Sequence, residues 1–268
     1  MNIQLLGPLN AVLSDTSIVP EAAKPRQLLA LMTVRAGQVL PVPLLMQELW
    51  GDHPPRSAVT TLQTYVLQLR RLIGAALGPD STLAPKEVLL TRHGGYQLQV
   101  PQVSVDTYEF ERLVAAGRRA EDRADDEAAS AAYREALSLW RGPALVDVRT
   151  GPVLDVELTR LEESRLGALE LRIEADLRLG RHTRVLTELA TLTGYHPLHE
   201  NLHAQCMLAL HRSGRRWQAL EVYKTLRGRL VEELGLEPSA RVRKLHQAIL
   251  AADPRLDPVP APGRQAAA

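Results

Sequence analysis

Short apolar runs broken by glycine and proline fill the first hundred residues of this chain, and from Val105 onward they give way to continuous helical periodicity. Strand signals vanish and helical periodicity takes over, so the architecture changes near residue 102. The 268 residues are enough for two domains of ordinary size.

In the first part, Asn2 to Leu6, Asn10 to Leu13 and Ile18–Val19 read as a small antiparallel sheet interrupted by Gly7 and Pro8. Pro25 sits where a first helical turn tolerates it, and the helix carrying Leu28, Leu29, Leu31, Met32 and Val34 stops at Gly37. Gln38 to Leu40 reads as a short strand. Pro43 to Trp50 is a second helix, closed by Gly51 and the Pro54–Pro55 pair, and Ser57 is the N-cap expected for a third. After a Gly, Pro and Ser rich loop, Val88 to Thr91 and Tyr96 to Val100 alternate as strands, with Gly94 and Gly95 supplying the positive dihedrals of a tight hairpin and Arg92 projecting from its tip. Helix-turn-helix followed by a β-hairpin is the winged-helix plan, in which one helix enters the major groove and the wing touches the backbone or minor groove.

The third helix contains TLQTYVLQLRRLIG, Thr61 to Gly74. Val59, Leu62, Val66, Leu69 and Ile73 recur at helical spacing and form the buried stripe. Ser57, Thr60, Thr61, Thr64, Gln68 and Arg71 fall opposite, with Tyr65 and Arg70 at the borders. Hydroxyls, an amide and guanidinium without a carboxylate are groups that address both base edges and phosphates. From His53 to Pro79 no Asp or Glu occurs, while Arg56, Arg70 and Arg71 do. A solvated helix usually mixes both signs.

Whole-chain charge makes no such case, since the formal net charge is +1. Up to residue 100, eight Lys/Arg stand against six Asp/Glu, and beyond it 24 against 25, so the basic excess is local. Cys206 is the single cysteine, which excludes an intramolecular disulfide or a CxxC pair and points to a reducing, cytoplasmic setting. The N-terminus lacks a signal-peptide pattern, and no apolar run reaches membrane-spanning length. No Gly-rich phosphate loop ending in Lys-Ser/Thr occurs, so no nucleotide-hydrolysing domain is expected.

In the second part Gly180 and Gly214 lie 34 residues apart, each followed by Arg and a helix, which is the tetratricopeptide period. Ala219, Tyr223 and Leu226 after Gly214 correspond to Val185, Leu189 and Leu192 after Gly180, and Ala129, Tyr133 and Ala136 repeat the spacing upstream. A long helix turns Leu158, Leu161, Leu169, Ile173 and Leu177 inward. The architecture expected is therefore mainly α: a winged helix-turn-helix of α+β type over 1–100, an all-α tetratricopeptide-like domain over 101–252, and a disordered tail over 253–268.

One enzymatic motif competes. His199, Glu200 and His203 spell HExxH, the spacing that sets two imidazoles on one helical face to hold zinc. The match has three fixed positions, and Cys206 and Ala209 stand where a longer metzincin pattern needs Gly and His. These histidines read as surface or packing residues, Cys206 as a small core residue, and Trp50, Trp140 and Trp217 as core anchors.

The run LQTYVLQLRRLI, the segment Leu49 to Pro55 and the wing LLTRHGGYQL together resemble the OmpR-like winged-helix class, in particular that of the Streptomyces antibiotic regulatory proteins. His196 to Arg215 and Ala219 to Ser239 resemble the bacterial transcriptional activator domain that accompanies it. The resemblance implies a transcriptional activator, not an enzyme, without cofactor or metal. It makes Ser57 to Ile73 the recognition helix, with Thr61, Thr64, Tyr65 and Gln68 facing the groove and Arg70 and Arg71 on the backbone. Arg92 lies on the wing. Gln68 departs from the Arg common at that position, which affects base preference and leaves docking intact. Also implied are double-stranded promoter DNA with short direct repeats in secondary-metabolite (antibiotic) gene clusters, recruitment of RNA polymerase through its sigma subunit, a dimer on DNA, and no phosphorelay receiver. The contrasting readings are a helical-repeat interaction module that does not touch DNA, and a zinc hydrolase.

Overall fold

The computed structural model describes residues 1–101 and 104–257. By tertiary contact the chain divides into two units, Met1–Ala115 with Glu135–Gly167, and Ala116–Arg134 with Ala168–Ala268. The division does not follow the change of periodicity near residue 102.

The first unit opens on an antiparallel sheet of β1 (Asn2–Gln4), β2 (Asn10–Leu13) and β3 (Thr16–Ser17), in which Asn2 pairs with Val12 and Val12 with Ser17. Ser14 and Asp15 both take positive φ, 47° and 63°, as a two-residue hairpin loop with matching twist demands. The third strand thus lies two residues ahead of Ile18–Val19, and Ile18 is buried beyond its end. Helix α1 (Ala23–Val34) carries Pro25 in its first turn. A second sheet has the order β4 (Leu40–Pro41), β6 (Gly95–Leu98), β5 (Leu89–Arg92). Between its strands run α2 (Val42–Trp50), α3 (Ala58–Leu77) and a single turn, α4 (Pro85–Val88), whose Glu87 accepts the Ala84 N–H at 2.7 Å. These elements share one core with Leu145, Val148 and Leu154.

Three local expectations need correction. Val59 is exposed and Ala58 takes its place in the buried row with Leu62, Val66, Leu69 and Ile73. Ser57 precedes α3 without a side-chain cap bond; its carbonyl accepts the Thr61 N–H at 2.8 Å. Gly94 has φ 75°, but Gly95 does not share it. Gly95 is required for space: a Cβ there would lie 2.2 Å from the Leu40 carbonyl oxygen, where β4 meets β6.

The remaining helices are α5 (Asp106–Glu121), α6 (Asp126–Ser138), α7 (Pro152–Arg178), α8 (His182–Tyr195), α9 (Glu200–Arg212), α10 (Arg216–Leu234) and α11 (Ala240–Leu250). In the second unit α8 packs on α9, and α9 on α10 and α11. Gly180 and Gly214 take φ of 73° and 74° where one helix ends and the next begins. A left-handed glycine is a common helix stop, and each of the two is followed by a helix, as their 34-residue spacing implied. Val185, Leu189, Ala219 and Leu226 are buried in the core with Ile173 and Leu177, and Ala129 and Tyr133 are buried too. Trp140 is buried edge-on against Phe110, 5.6 Å between ring centroids, but Trp217 is 69% exposed and anchors no core. Residues 253–257, placed in the expected tail, form a turn at Pro254–Leu256, held where Arg212 Nε donates to the Leu256 carbonyl at 2.7 Å. The rest of that tail, 258–268, lies outside the described residues.

Candidate nucleic-acid interface

Helix α3 buries Ala58, Leu62, Val66, Leu69, Ile73 and Ala76, which fixes the phase of everything else on it. The side turned to solvent carries Thr60, Gln63, Thr64, Leu67 and Arg71 at steps of three and four residues. Three of these, Thr60, Gln63 and Leu67, are absent from the sequence-predicted site. A complete helical wheel would have found Gln63 and Leu67, since each stands four residues from another member of the row. Thr61 and Gln68 are half-buried at the margins.

The predicted site residues are not equally free. Tyr65 is half-buried, its ring stacked on Trp50 at 6.3 Å and 18°. Arg70 turns away from solvent: Nε and Nη2 donate to the Leu89 carbonyl at 3.0 and 2.7 Å, and Nη2 to Thr91 Oγ1 at 2.8 Å. Its guanidinium therefore ties α3 to the first wing strand. Thr64 Oγ1 donates to the Thr60 carbonyl at 3.0 Å, so its proton is committed to the helix.

Arg71 is exposed and, among the described residues, forms no salt bridge. Arg92 is exposed at the end of β5, where Nε donates to Gln97 Oε1 at 2.9 Å and Gln97 in turn donates to the Gly37 carbonyl at 2.6 Å. That chain of bonds steadies the wing without neutralising it. Among the described residues Arg92, like Arg71, forms no salt bridge, so the exposed row of α3, free of carboxylate, ends in one cation and the wing carries a second. Such a surface suits a phosphate backbone with base edges between.

The HExxH residues are placed differently. His199 precedes α9 as its cap, with Nε2 3.0 Å from Glu170 Oε1. Glu200 accepts the Ser239 N–H at 2.6 Å, and His203 Nδ1 lies 3.0 Å from the His199 carbonyl oxygen. Among the described residues no group of three or more His, Cys, Asp or Glu is arranged to hold a metal ion. Burial pushes the Cys206 thiol up to about 11, so it is a core group and a poor nucleophile. No helix among the described residues is long and apolar enough to cross a membrane.

Comparison with known proteins places this geometry. Residues 19–98 match the family described as transcriptional regulatory protein, C terminal, and residues 105–250 the bacterial transcriptional activator domain. The regulatory protein DnrI of Streptomyces peucetius is 57% identical over 257 residues, 96% of this chain and 94% of its own length. The regulatory protein AfsR of Streptomyces griseus is 34% identical over 256 residues, 96% of this chain and 25% of that protein. A solved structure of Mycobacterium tuberculosis EmbR, in complex with a low-affinity phosphopeptide, superimposes with a TM-score of 0.86 at 32% identity, covering 96% of this chain and 66% of that one.

Proposed function

The chain belongs to the Streptomyces antibiotic regulatory protein family, and from that membership we propose how its surface performs transcriptional activation. Helix α3 enters the major groove with Thr60, Gln63, Thr64, Leu67 and Arg71 toward the DNA, and Thr61 and Gln68 at the margins. Arg71 contacts phosphate from the helix and Arg92 from the wing. Arg70 serves this arrangement indirectly, by holding the wing strand at a fixed distance from the helix through Leu89 and Thr91.

The chain acts in the cytoplasm as a pathway-specific activator of a secondary-metabolite gene cluster, without catalysis of its own. Two protomers bind side by side on promoter direct repeats and recruit RNA polymerase through its sigma subunit. The helical repeats offer the surface for protein contact that such recruitment needs.

The observation that carries this reading is the carboxylate-free exposed row on α3 with Arg71 in it, together with Arg92 on the wing, neither arginine forming a salt bridge among the described residues. Binding of duplexes selected from random DNA, followed by fluorescence anisotropy across a salt series, tests it. Arg71→Ala and Arg92→Ala should each weaken binding to every sequence and flatten the salt dependence by roughly one charge. If the protein selects no sequence and binds no duplex at moderate salt, the helical-repeat interaction module without DNA binding takes its place.

A further inference from the structure

Leu67 is 49% exposed at the middle of the face that α3 turns to solvent. Its neighbours on that face are Thr60, Gln63, Thr64 and Arg71, respectively seven, four and three residues before it and four after it. The apolar row of the helix is complete without it, since Leu62, Val66, Leu69 and Ile73 fill the core on the opposite side. Leu67 therefore contributes little to the fold.

Single exposed leucines are common and by themselves signify nothing. This one differs in its setting, because it stands at the centre of a row whose other members are a donor-acceptor amide, two hydroxyls and a guanidinium. In a DNA major groove, hydrogen-bonding groups read the base edges, and the one apolar group displayed there is the thymine C5-methyl. A leucine among hydrogen-bonding side chains has that methyl as its complement. Thr64 adds to the apolar character of the row by spending its hydroxyl proton on the Thr60 carbonyl.

We infer that Leu67 reads thymine, by packing against a C5-methyl in the major groove, and so sets one base-pair preference of the operator. The inference rests on α3 being the recognition helix, and it adds an apolar reader to a face otherwise understood through polar contacts.

Replacing each operator thymine in turn by uracil removes the methyl and leaves base pairing intact. With the full-length protein and a duplex recovered by selection from random DNA, uracil at one thymine should weaken binding about fourfold, the equivalent of exposing one methyl group. Leu67→Ala should weaken binding to the unmodified duplex by at least as much and lose its sensitivity to uracil at that position. Leu67→Met, which keeps an apolar side chain, should retain the sensitivity. Alanine at an exposed helical site preserves the helix, and circular dichroism verifies that both variants are folded. If no uracil substitution affects the wild type while Arg71→Ala still weakens binding, Leu67 does not read thymine and the recognition-helix reading stands. Equal uracil sensitivity in wild type and Leu67→Ala also overturns the inference. If neither Arg71→Ala nor Leu67→Ala alters affinity and no uracil matters, both readings fall.

Discussion

The Glu48 carboxylate, near the end of α2, accepts the backbone N–H of Leu154 at 2.9 Å, at the start of α7. It also accepts from Gly151 and Val153 at 2.7 and 2.9 Å and from Gln27 Nε2 at 2.7 Å. A buried anion at a helix N-terminus satisfies N–H groups that have no partner within the helix and meets the positive end of its dipole. Glu48 thus ties the winged helix to a segment more than a hundred residues away within the same unit. Glu48→Ala should lower unfolding stability by about 3 kcal/mol or more, since several buried donors lose their acceptor. Gly151→Ala should be harmful as well, because its Cβ would lie 2.1 Å from the Glu48 carbonyl oxygen. Urea midpoints of the two variants check both expectations.

Arg70 and Arg71 are adjacent in sequence and opposite in role. Arg70→Ala removes three hydrogen bonds to Leu89 and Thr91 and should cost about 1–3 kcal/mol of stability. Its DNA affinity should fall while the salt slope stays that of the wild type, because no phosphate contact is lost. Arg71→Ala should leave stability unchanged and reduce the slope. Equal slopes for the two variants would contradict this division of labour.

How far the sequence revealed these roles depended on whether they follow from helical phase or from tertiary position. The buried row of α3 follows from periodicity, and only Val59 and Ala58 exchange places. Phase alone sets Arg70 at the border of the face, but its commitment to Leu89 depends on where the wing folds back. Tyr65 on Trp50 is a relationship of the same kind. Gly95 illustrates another limit, since a tight turn and a crowded strand crossing both select glycine. The size of Trp217 suggests burial, but its position near the start of α10 leaves it in solvent. Leu67 and Gln63 follow from helical phase alone, since a full wheel of α3 sets both on its exposed face.

In the helical unit, Asp176 is 3% exposed and accepts from Ser130 Oγ at 2.8 Å and Arg181 Nη1 at 3.1 Å, with Arg172 Nη1 at 3.4 Å. In Asp176→Ala the Ser130 hydroxyl loses its acceptor, while Arg172 keeps Glu188 and Arg181 keeps Glu127. The variant should destabilise by about 1–3 kcal/mol, read from thermal unfolding.

Burial, foremost, and then the nearby Arg229 and His199 charges depress the His203 imidazole below its ordinary 6.5, against the bond to the His199 carbonyl. The unfolded chain therefore binds this proton more readily than the folded one, so its contribution is present above pH 6.5 and lost as pH falls. His246, lowered by burial where it stacks on Tyr223 at 3.8 Å, acts in the same direction. Stability should decline on acidification from neutrality, and His203→Gln should make that decline shallower. An unaltered pH slope in the variant would contradict the assignment.

The most direct measurement of the central claim is an affinity profile over all single-base variants of the selected operator, taken for wild type and for Gln63→Ala, Thr64→Ala and Gln68→Ala. If α3 reads the bases, at least one substitution should erase the preference at a particular base pair, a loss of about 1–3 kcal/mol of discrimination there, and leave the other positions as they were. Arg71→Ala should instead lower every affinity in parallel. Profiles for all three α3 variants that retain the wild-type preferences at every position would contradict the claim, and base reading would then have to be sought away from this helix.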